Sequence, residues 1–320
     1  MTIAPREYDF YAARRRLEGK AKSAGPKLGP LEDAVALIKD GDHLAIGGCL
    51  YSRTPLAPVG ALLRRRPLGV AFSRNLMCYE GEWGMVAGAV DKLVTSWMGI
   101  GLPWGLSRIQ REYVESGRIP FEEWSHLGLG LRYRAAAMGV PFLPSLTMLG
   151  SDLMEVGGSK TVECPYTGRT LHAVPALFPD VALLHVQRAD RLGNCQIDGY
   201  PHMDADIARA ASTVLVTAEE IVSEDEIRRH PDRTVIPGFL VDALAHVPYG
   251  SYPHECYGAY DAEPDHFTTY VEGIQQRGAA GVADYLERYV YAPRGHADYL
   301  ALFGEARMAD AAARARMLTT

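Results

Sequence analysis

The chain has 320 residues, 48% of them apolar and 22% charged, with a formal net charge of −6. That length buries a full core in one large or two modest domains, and the composition is that of an ordinary globular protein. An acidic balance argues against a nucleic-acid binder, and no run approaches the roughly 20 apolar residues of a membrane span. Five scattered cysteines without a CxxC pair read as reduced thiols of a cytoplasmic protein.

Residues 1–30 stand apart in composition. Arg6, Arg14, Arg15, Arg16, Lys20, Lys22 and Lys27 outnumber Glu7, Asp9 and Glu18, and a short helix over 8–17 is expected before Gly25-Pro26 and Gly29-Pro30. No apolar stretch of secretory type follows. The segment reads as a basic N-terminal arm, on the surface or against a partner, ahead of one α/β domain over 31–320. Leu31 to Lys39 is predicted as an amphipathic helix halted by Asp40-Gly41-Asp42, and His43 to Ile46 as a buried strand that delivers Gly47-Gly48. Pro55 opens a helix running to about Arg65, and Gly69 to Ser73 and Lys92 to Ser96 read as further strands. Trp104 to Ser116 is predicted as a helix stopped by Gly117, and Leu127 to Met138 as one closed by Gly139 and Pro141. Gly150 to Leu171 looks like a loop-rich insertion. Val181 to Val186 and Thr213 to Thr217 read as strands on either side of a short helix, Ala205 to Ala211, and from His266 onward the pattern is helical. Short apolar strands alternating with helices imply an open, largely parallel sheet with flanking helices and a helical C-terminal segment.

Gly47 and Gly48 fall where a parallel sheet exposes its functional edge, and glycine there lets a backbone approach a ligand and offer N–H groups to it. With Arg53 they are candidate substrate-binding residues. No third glycine completes a GxGxxG, and no GxxxxGK[ST] occurs. Cys78-Tyr79-Glu80-Gly81 is expected on a loop after the second strand. Glu80 is there a candidate nucleophile or substrate-facing carboxylate, and Tyr79 a candidate substrate contact. His126 lies between the Phe121–Ser125 segment and the following helix. An imidazole at that point donates to a carbonyl, acts as a general base near neutral pH, or bonds backbone at a helix start. The histidines form no i, i+4 pair and no HExxH, so no metal site is expected; separately, no permanently bound cofactor is expected. His202-Met203-Asp204-Ala205-Asp206 reads as the first turn of a helix, Ser223 with Glu226 as a capping box, and Arg64-Arg65-Arg66 as a cationic helix end. The aromatic-rich loop Tyr249 to Tyr260 is expected to pack across a subunit interface.

Three stretches carry a resemblance: Asp33 to Gly48, the AAAxGxPFLP run from Ala135 to Pro144, and SEDEIRR…IPG…VDA…PYG…P…CYGxYD from Ser223 to Asp261. Together they resemble the A subunit of family I coenzyme A-transferases, in the glutaconate CoA-transferase branch, over roughly Leu31 to the end. The resemblance implies two similar open α/β subunits with the active site between them. A glutamate on the B subunit attacks an acyl-CoA and forms a glutamyl-CoA thioester through an anhydride, and a second carboxylate then takes the CoA. The Ser-Glu-Asn-Gly-type turn that carries this glutamate in the family does not appear here. The resemblance therefore implies half an active site: an A subunit that meets its B subunit in a heterotetramer or hetero-octamer, with a CoA thioester and a carboxylic or dicarboxylic acid as substrates. Where this chain has His126, related hydrolase-like members carry a carboxylate and the glutaconate branch an amide-type residue. That departure leaves open a CoA-thioester hydrolase or decarboxylase on the same two-subunit scaffold, or a non-catalytic acyl-CoA-binding subunit.

Overall fold

The computed structural model describes residues 9–65 and 69–319. Arg66 of the predicted cationic helix end lies outside them. The first helix, α1 (Phe10–Glu18), starts because the Asp9 carboxylate accepts from the Ala12 N–H at 2.9 Å. The next, α2 (Leu31–Ala36), is shorter than its apolar period suggests. The Asp42 carboxylate accepts from the Lys39 N–H at 2.8 Å, and that turn ends the helix early. The strand β1 (His43–Ile46) leads to α3 (Leu56–Arg64), β2 (Val70–Met77), α4 (Tyr79–Val86) and β3 (Val90–Gly101). The helix expected from Trp104 does not start there. β3 turns back into the short β4 (Gly105–Leu106), and α5 (Arg108–Glu115) begins only where the Ser107 side chain accepts from the Gln110 N–H.

Then come β5 (Phe121–Glu123) and α6 (His126–Met138), capped by Ser125 at its start and closed by Gly139 at φ 72°. The insertion has structure of its own. Strand β6 (Phe142–Ser145), helix α7 (Asp152–Val156), and strands β7 (Thr161–Glu163) and β8 (Thr170–Pro175) form a three-stranded antiparallel sheet with one short helix. Past it run β9 (Val181–Asp190), β10 (Cys195–Gln196), α8 (Asp204–Ala210), β11 (Thr213–Val222), α9 (Glu224–Arg229), β12 (Thr234–Ile236) and β13 (Ala243–His246). Ser223 caps α9 as its capping-box sequence predicts. The end of the chain is helical: α10 (Pro264–Thr268), α11 (Ala279–Leu286), α12 (His296–Ala301) and α13 (Glu305–Thr319), with π-helical turns at Thr269–Ile274 and Glu287–Tyr291.

The large sheet is parallel in the order β13-β11-β9-β1-β2-β3-β5, with β4, β10 and β12 added antiparallel. Helices cover both faces, so its central strands are apolar runs with little alternation. One face packs Val35, Leu62, Phe72, Trp83 and Tyr285, and the other Leu129, Tyr133, Leu184, Ile207 and Val216. The alanines of the AAAxG run are small for a packing reason. Ala135 and Ala136 let α1 and α8 approach α6, where Ala13 and Ala210 are buried beside them.

Residues 9–30 lie on this body. Phe10 meets Phe178 edge to face with ring centroids 5.9 Å apart, and the Lys20 ammonium sits 2.6 Å from the Asp242 carboxylate. Further on, Leu244 N–H donates to the Lys27 carbonyl at 3.0 Å and Gly29 N–H to the Leu244 carbonyl at 2.9 Å, so the segment runs along the outer side of β13. In the Tyr249–Tyr260 loop, Tyr252, Cys256 and Tyr260 are buried inside their own chain against Tyr299 and Phe303, while Tyr257 is exposed.

Candidate active site at the strand ends

The carboxyl ends of β1, β2, β3 and β5 converge on one edge of the sheet, and the residues that leave them build the candidate site. Gly47 and Gly48 follow β1. Their N–H groups do not face outward: Gly47 donates to the Leu183 carbonyl at 3.0 Å and Gly48 to Asp204 Oδ1 at 2.8 Å. The need for glycine is internal. A Cβ on Gly47 would lie 2.5 Å from Leu184 Cδ2 and 2.9 Å from Asp204 Oδ1. Gly48 has φ +73°, and a Cβ there would strike the Ser52 carbonyl and come within 2.7 Å of the Arg53 carbonyl. The pair shapes a tight loop and offers no donor to a ligand.

Arg53 is also turned inward. Its Nη1 donates to Asp204 Oδ2 at 2.5 Å and to the His185 carbonyl at 3.2 Å, and its Nη2 donates to the Tyr200 carbonyl at 2.8 Å. Both partners of the ion pair are buried. The sequence reading of Arg53 as a substrate contact is therefore corrected to a clamp between the glycine loop and α8. Asp204, read only as part of a helix first turn, is the residue that joins Gly48 to Arg53.

Glu80 and Tyr79 are corrected in the same way. Neither is on a loop: both belong to α4, and each is 0% exposed. Glu80 Oε1 accepts from Arg74 Nη1 at 2.8 Å and from the Cys78 N–H at 2.9 Å, which ties the start of α4 to β2. Glu80 is thus enclosed and paired with Arg74 within the chain. Tyr79 lies 4.1 Å from the Tyr270 ring and 4.8 Å from the His254 ring, inside the aromatic core that joins the sheet to the C-terminal helices. Arg64 and Arg65 of the cationic helix end donate to the backbone carbonyls of Val290, Val35 and Ile38.

His126 is placed differently. It is the first residue of α6, its ring is exposed, and its carbonyl accepts from Asn75 Nδ2 of β2 at 2.7 Å. Its Nε2 lies 3.2 Å from His202 Nε2, and His202 Nδ1 lies 3.0 Å from the Gly48 carbonyl. A carbonyl accepts only, so His202 carries its proton on Nδ1 and offers a lone pair at Nε2. His126 then donates from Nε2, and its Nδ1 holds a free lone pair. Burial holds the His202 imidazole down to about 4, so it stays neutral at working pH. Partial burial lowers His126 as well, and its place at the positive end of α6 acts in the same direction. At neutral pH the pair presents a base, not a cation. The partner residue was missed because 76 positions separate it from His126. His202 at φ 50° and Leu50 at φ 52° are non-glycine residues in the left-handed region, a concentration of backbone strain typical of working sites.

The conspicuous PYG…CYGxYD motif supports this loop from behind. Glu219 at the far end of β11 accepts from the Tyr249 and Gly250 N–H groups, from Tyr260 Oη at 2.6 Å, and faces His185 Nε2 at 2.6 Å. The chain beyond then hands its backbone to the glycine loop: Arg53 N–H donates to the Glu255 carbonyl at 2.8 Å and Glu255 N–H to the Tyr51 carbonyl at 2.9 Å. His185, Glu219 and Cys256 bring three potential metal-ligand atoms within 4.8 Å of one another. Hydrogen bonds from five protein groups, counting Thr217 on His185 Nδ1, already occupy the histidine and the carboxylate, and the cluster reads as a structural clasp.

Beside His126 a cavity of about 510 Å³ opens at the strand ends. Leu50, Leu76, Trp97, Leu102 and Leu106 form its walls, the β3–β4 turn contributes Gly101 and Gly105, and its polar members are Ser96 and His126. Ser96 Oγ is engaged with the Asn75 carbonyl at 2.5 Å. A parallel sheet with a ligand-sized cavity at its carboxyl edge and one poised imidazole has the architecture of an α/β enzyme subunit. Residues 30–246 match the coenzyme A transferase family. The A subunit of glutaconate CoA-transferase from Acidaminococcus fermentans is 33% identical over 88% of this chain and 93% of its own length. The crystal structure of glutaconate CoA-transferase from the same organism superposes with a TM-score of 0.85 at 30% identity, covering 89% of this chain and 95% of the other. A variant of the decarboxylase AibA/AibB superposes with a TM-score of 0.71 at 32% identity, over 82% and 98% of the two chains. This chain belongs to the coenzyme A transferase family and is an A-type subunit of a CoA-transferase. Among the described residues, no helix is long and apolar enough to cross a membrane.

Proposed function

We propose that this subunit works with a B subunit to move CoA between small carboxylic acids, the covalent glutamate being the partner's. One observation carries the division of labour: none of the residues lining the cavity is an aspartate or glutamate, while Glu80, the nearby alternative, is enclosed and paired with Arg74. A nucleophilic carboxylate has to enter from outside the chain. It would attack the thioester carbonyl and displace CoA as a thiolate. CoA thiolate would reopen the resulting anhydride at the glutamyl carbonyl, releasing the first acid and leaving the enzyme thioester. A second carboxylate would attack that thioester and expel the thiolate, which then takes the acyl group from the new anhydride and frees the glutamate, so each step replaces a harder direct exchange. This chain's share is to wall the acyl group, exclude water and hold His126 beside the reacting carbonyl.

The test is direct. Purified alone, the chain should exchange no labelled CoA between two carboxylic acids; co-purified with its B subunit, it should. Exchange by the isolated chain would place the nucleophile within it and overturn the proposal. A second reading, hydrolysis or decarboxylation of a CoA thioester, is favoured by the free Nδ1 lone pair of His126, which suits proton abstraction or water activation better than donation to a carbonyl. A complex that releases free acid or carbon dioxide without forming exchanged CoA ester would establish it.

A further inference from the structure

The cavity at the strand ends differs from what a dicarboxylic acyl group requires. Such a group carries a second carboxylate at its far end, and burying a carboxylate without a cation or a set of donors is strongly unfavourable. Neither lysine nor arginine is among the residues that line the cavity. Arg74 and Arg53, two and three positions from the wall residues Leu76 and Leu50, are committed elsewhere, and Arg108, two positions past Leu106, is an exposed first residue of α5 that does not line the cavity. Arg53 is spent on Asp204 and two carbonyls. Arg74 donates from Nε to the Gly47 carbonyl at 3.0 Å, from Nη1 to Glu80 and from Nη2 to Thr54 Oγ1 at 3.1 Å. Ser96 has its hydroxyl proton on the Asn75 carbonyl, and His126 has its Nε2 proton toward His202, so neither offers a donor to a distal carboxylate. The remaining surface is hydrocarbon and indole. Leu102, 90% exposed at the tip of the β3–β4 hairpin, and Leu106 extend it outward, unusual positions for large apolar side chains unless something apolar lies against them.

We infer that the acyl group this subunit accepts is an uncharged, hydrocarbon one, and that Leu76, Trp97, Leu102 and Leu106 select it against dicarboxylic acyl groups. The inference rests on the CoA-transferase reading of the same site and narrows it. Pentanoyl-CoA and glutaryl-CoA are the appropriate pair, because they have the same chain length and differ in whether the last carbon is a methyl or a carboxylate. Each is offered to the A–B complex as CoA donor, with labelled acetate as acceptor, and labelled acetyl-CoA is counted.

Pentanoyl-CoA should be preferred in kcat/KM on the order of 10²-fold, since a mismatched group in an apolar pocket is rejected at least as strongly as a missing methylene. Leu106→Arg should bring that ratio down by about tenfold or more by supplying the absent cation, while Leu106→Gln, with no charge, should not. Retention of the A–B complex by each variant is followed by size exclusion. A wild-type ratio near one, or in favour of glutaryl-CoA, overturns the inference whatever the variants do, and means that the partner's side chains decide the acyl class. If neither donor labels acetate, it is the transferase reading that fails. Calorimetric binding of the same two thioesters to the complex then decides the acyl class by itself: equal affinities, or tighter glutaryl-CoA, overturn it.

Discussion

In an assembled enzyme that hydrolyses or decarboxylates its thioester, where His126 moves a proton, replacing it by alanine should lower turnover by about 10²–10⁴-fold, the usual contribution of one positioned proton-transfer group. The pH profile distinguishes this from a packing effect. The imidazole works as a base only when unprotonated, and burial depresses its affinity for the proton below the ordinary value of 6.5. Wild-type kcat/KM should therefore rise with pH through an apparent ionisation below 6.5 and be level from pH 7 upward. His202 does not add a second ionisation in that range, because it is already held to about 4. In His126→Ala the acid limb should vanish along with the rate. A profile with the same limb and the same rate in both proteins would return His126 to a helix-start residue with no part in the chemistry. His126→Gln separates the two activities open to the scaffold: an amide can donate to an acyl carbonyl but cannot activate water, so transfer should recover further than hydrolysis or decarboxylation.

The second large effect is expected at Asp204. Its carboxylate joins the Gly48 N–H to the Arg53 guanidinium in a place without solvent. Asp204→Ala leaves a buried arginine uncompensated, which costs about 3–5 kcal/mol, whereas removing both members of such a pair together is far milder. Equilibrium denaturation of the subunit should show that loss for Asp204→Ala, and Asp204→Ala combined with Arg53→Met should recover part of it. Equal stability of wild type and single mutant would mean that the clamp contributes nothing. Turnover should fall with stability, because His202, which orients His126, stands two residues before Asp204 on the same turn.

These two positions also show how far the amino-acid order could be read. The strands His43 to Ile46 and Val181 to Val186 are short runs apolar except for His43 and His185, and the helix closed by Gly139 has both of its terminal signals, so local chemistry was enough to place them. The helix predicted from Trp104 starts only at Arg108 because Gly105 and Leu106 are captured by β3, a tertiary pairing that outweighs local propensity. Site residues were harder. Glu80 looked substrate-facing because nothing in Cys78-Tyr79-Glu80-Gly81 reveals that Arg74 will fold back on it. His126 stood out by its helix-start position, but its partner His202 and the Asp204 clamp come from a distant segment, brought alongside only when β1 and β9 pair. The glycine pair was located correctly and its role misread. A strand ending in GG announces a close approach, and only the folded chain shows that Asp204 and the protein's own loop are the groups that approach.

The path of residues 27–29 along β13 has a consequence for handling and for life in the cell. β13 is the last parallel strand on its side and pairs with β11, so its outward N–H and C=O groups would be free to recruit a foreign strand if that short stretch were absent. The basic leader thus serves as a guard rail for the sheet. A version trimmed to begin at Leu31 should keep the helices from α2 onward and its cavity yet self-associate with rising concentration, visible as light scattering at protein levels where the full chain stays clear. A proteolytic nick among Ser23, Ala24 and Gly25 would spare residues 27–29 but cut them from α1, leaving the guard attached at one end.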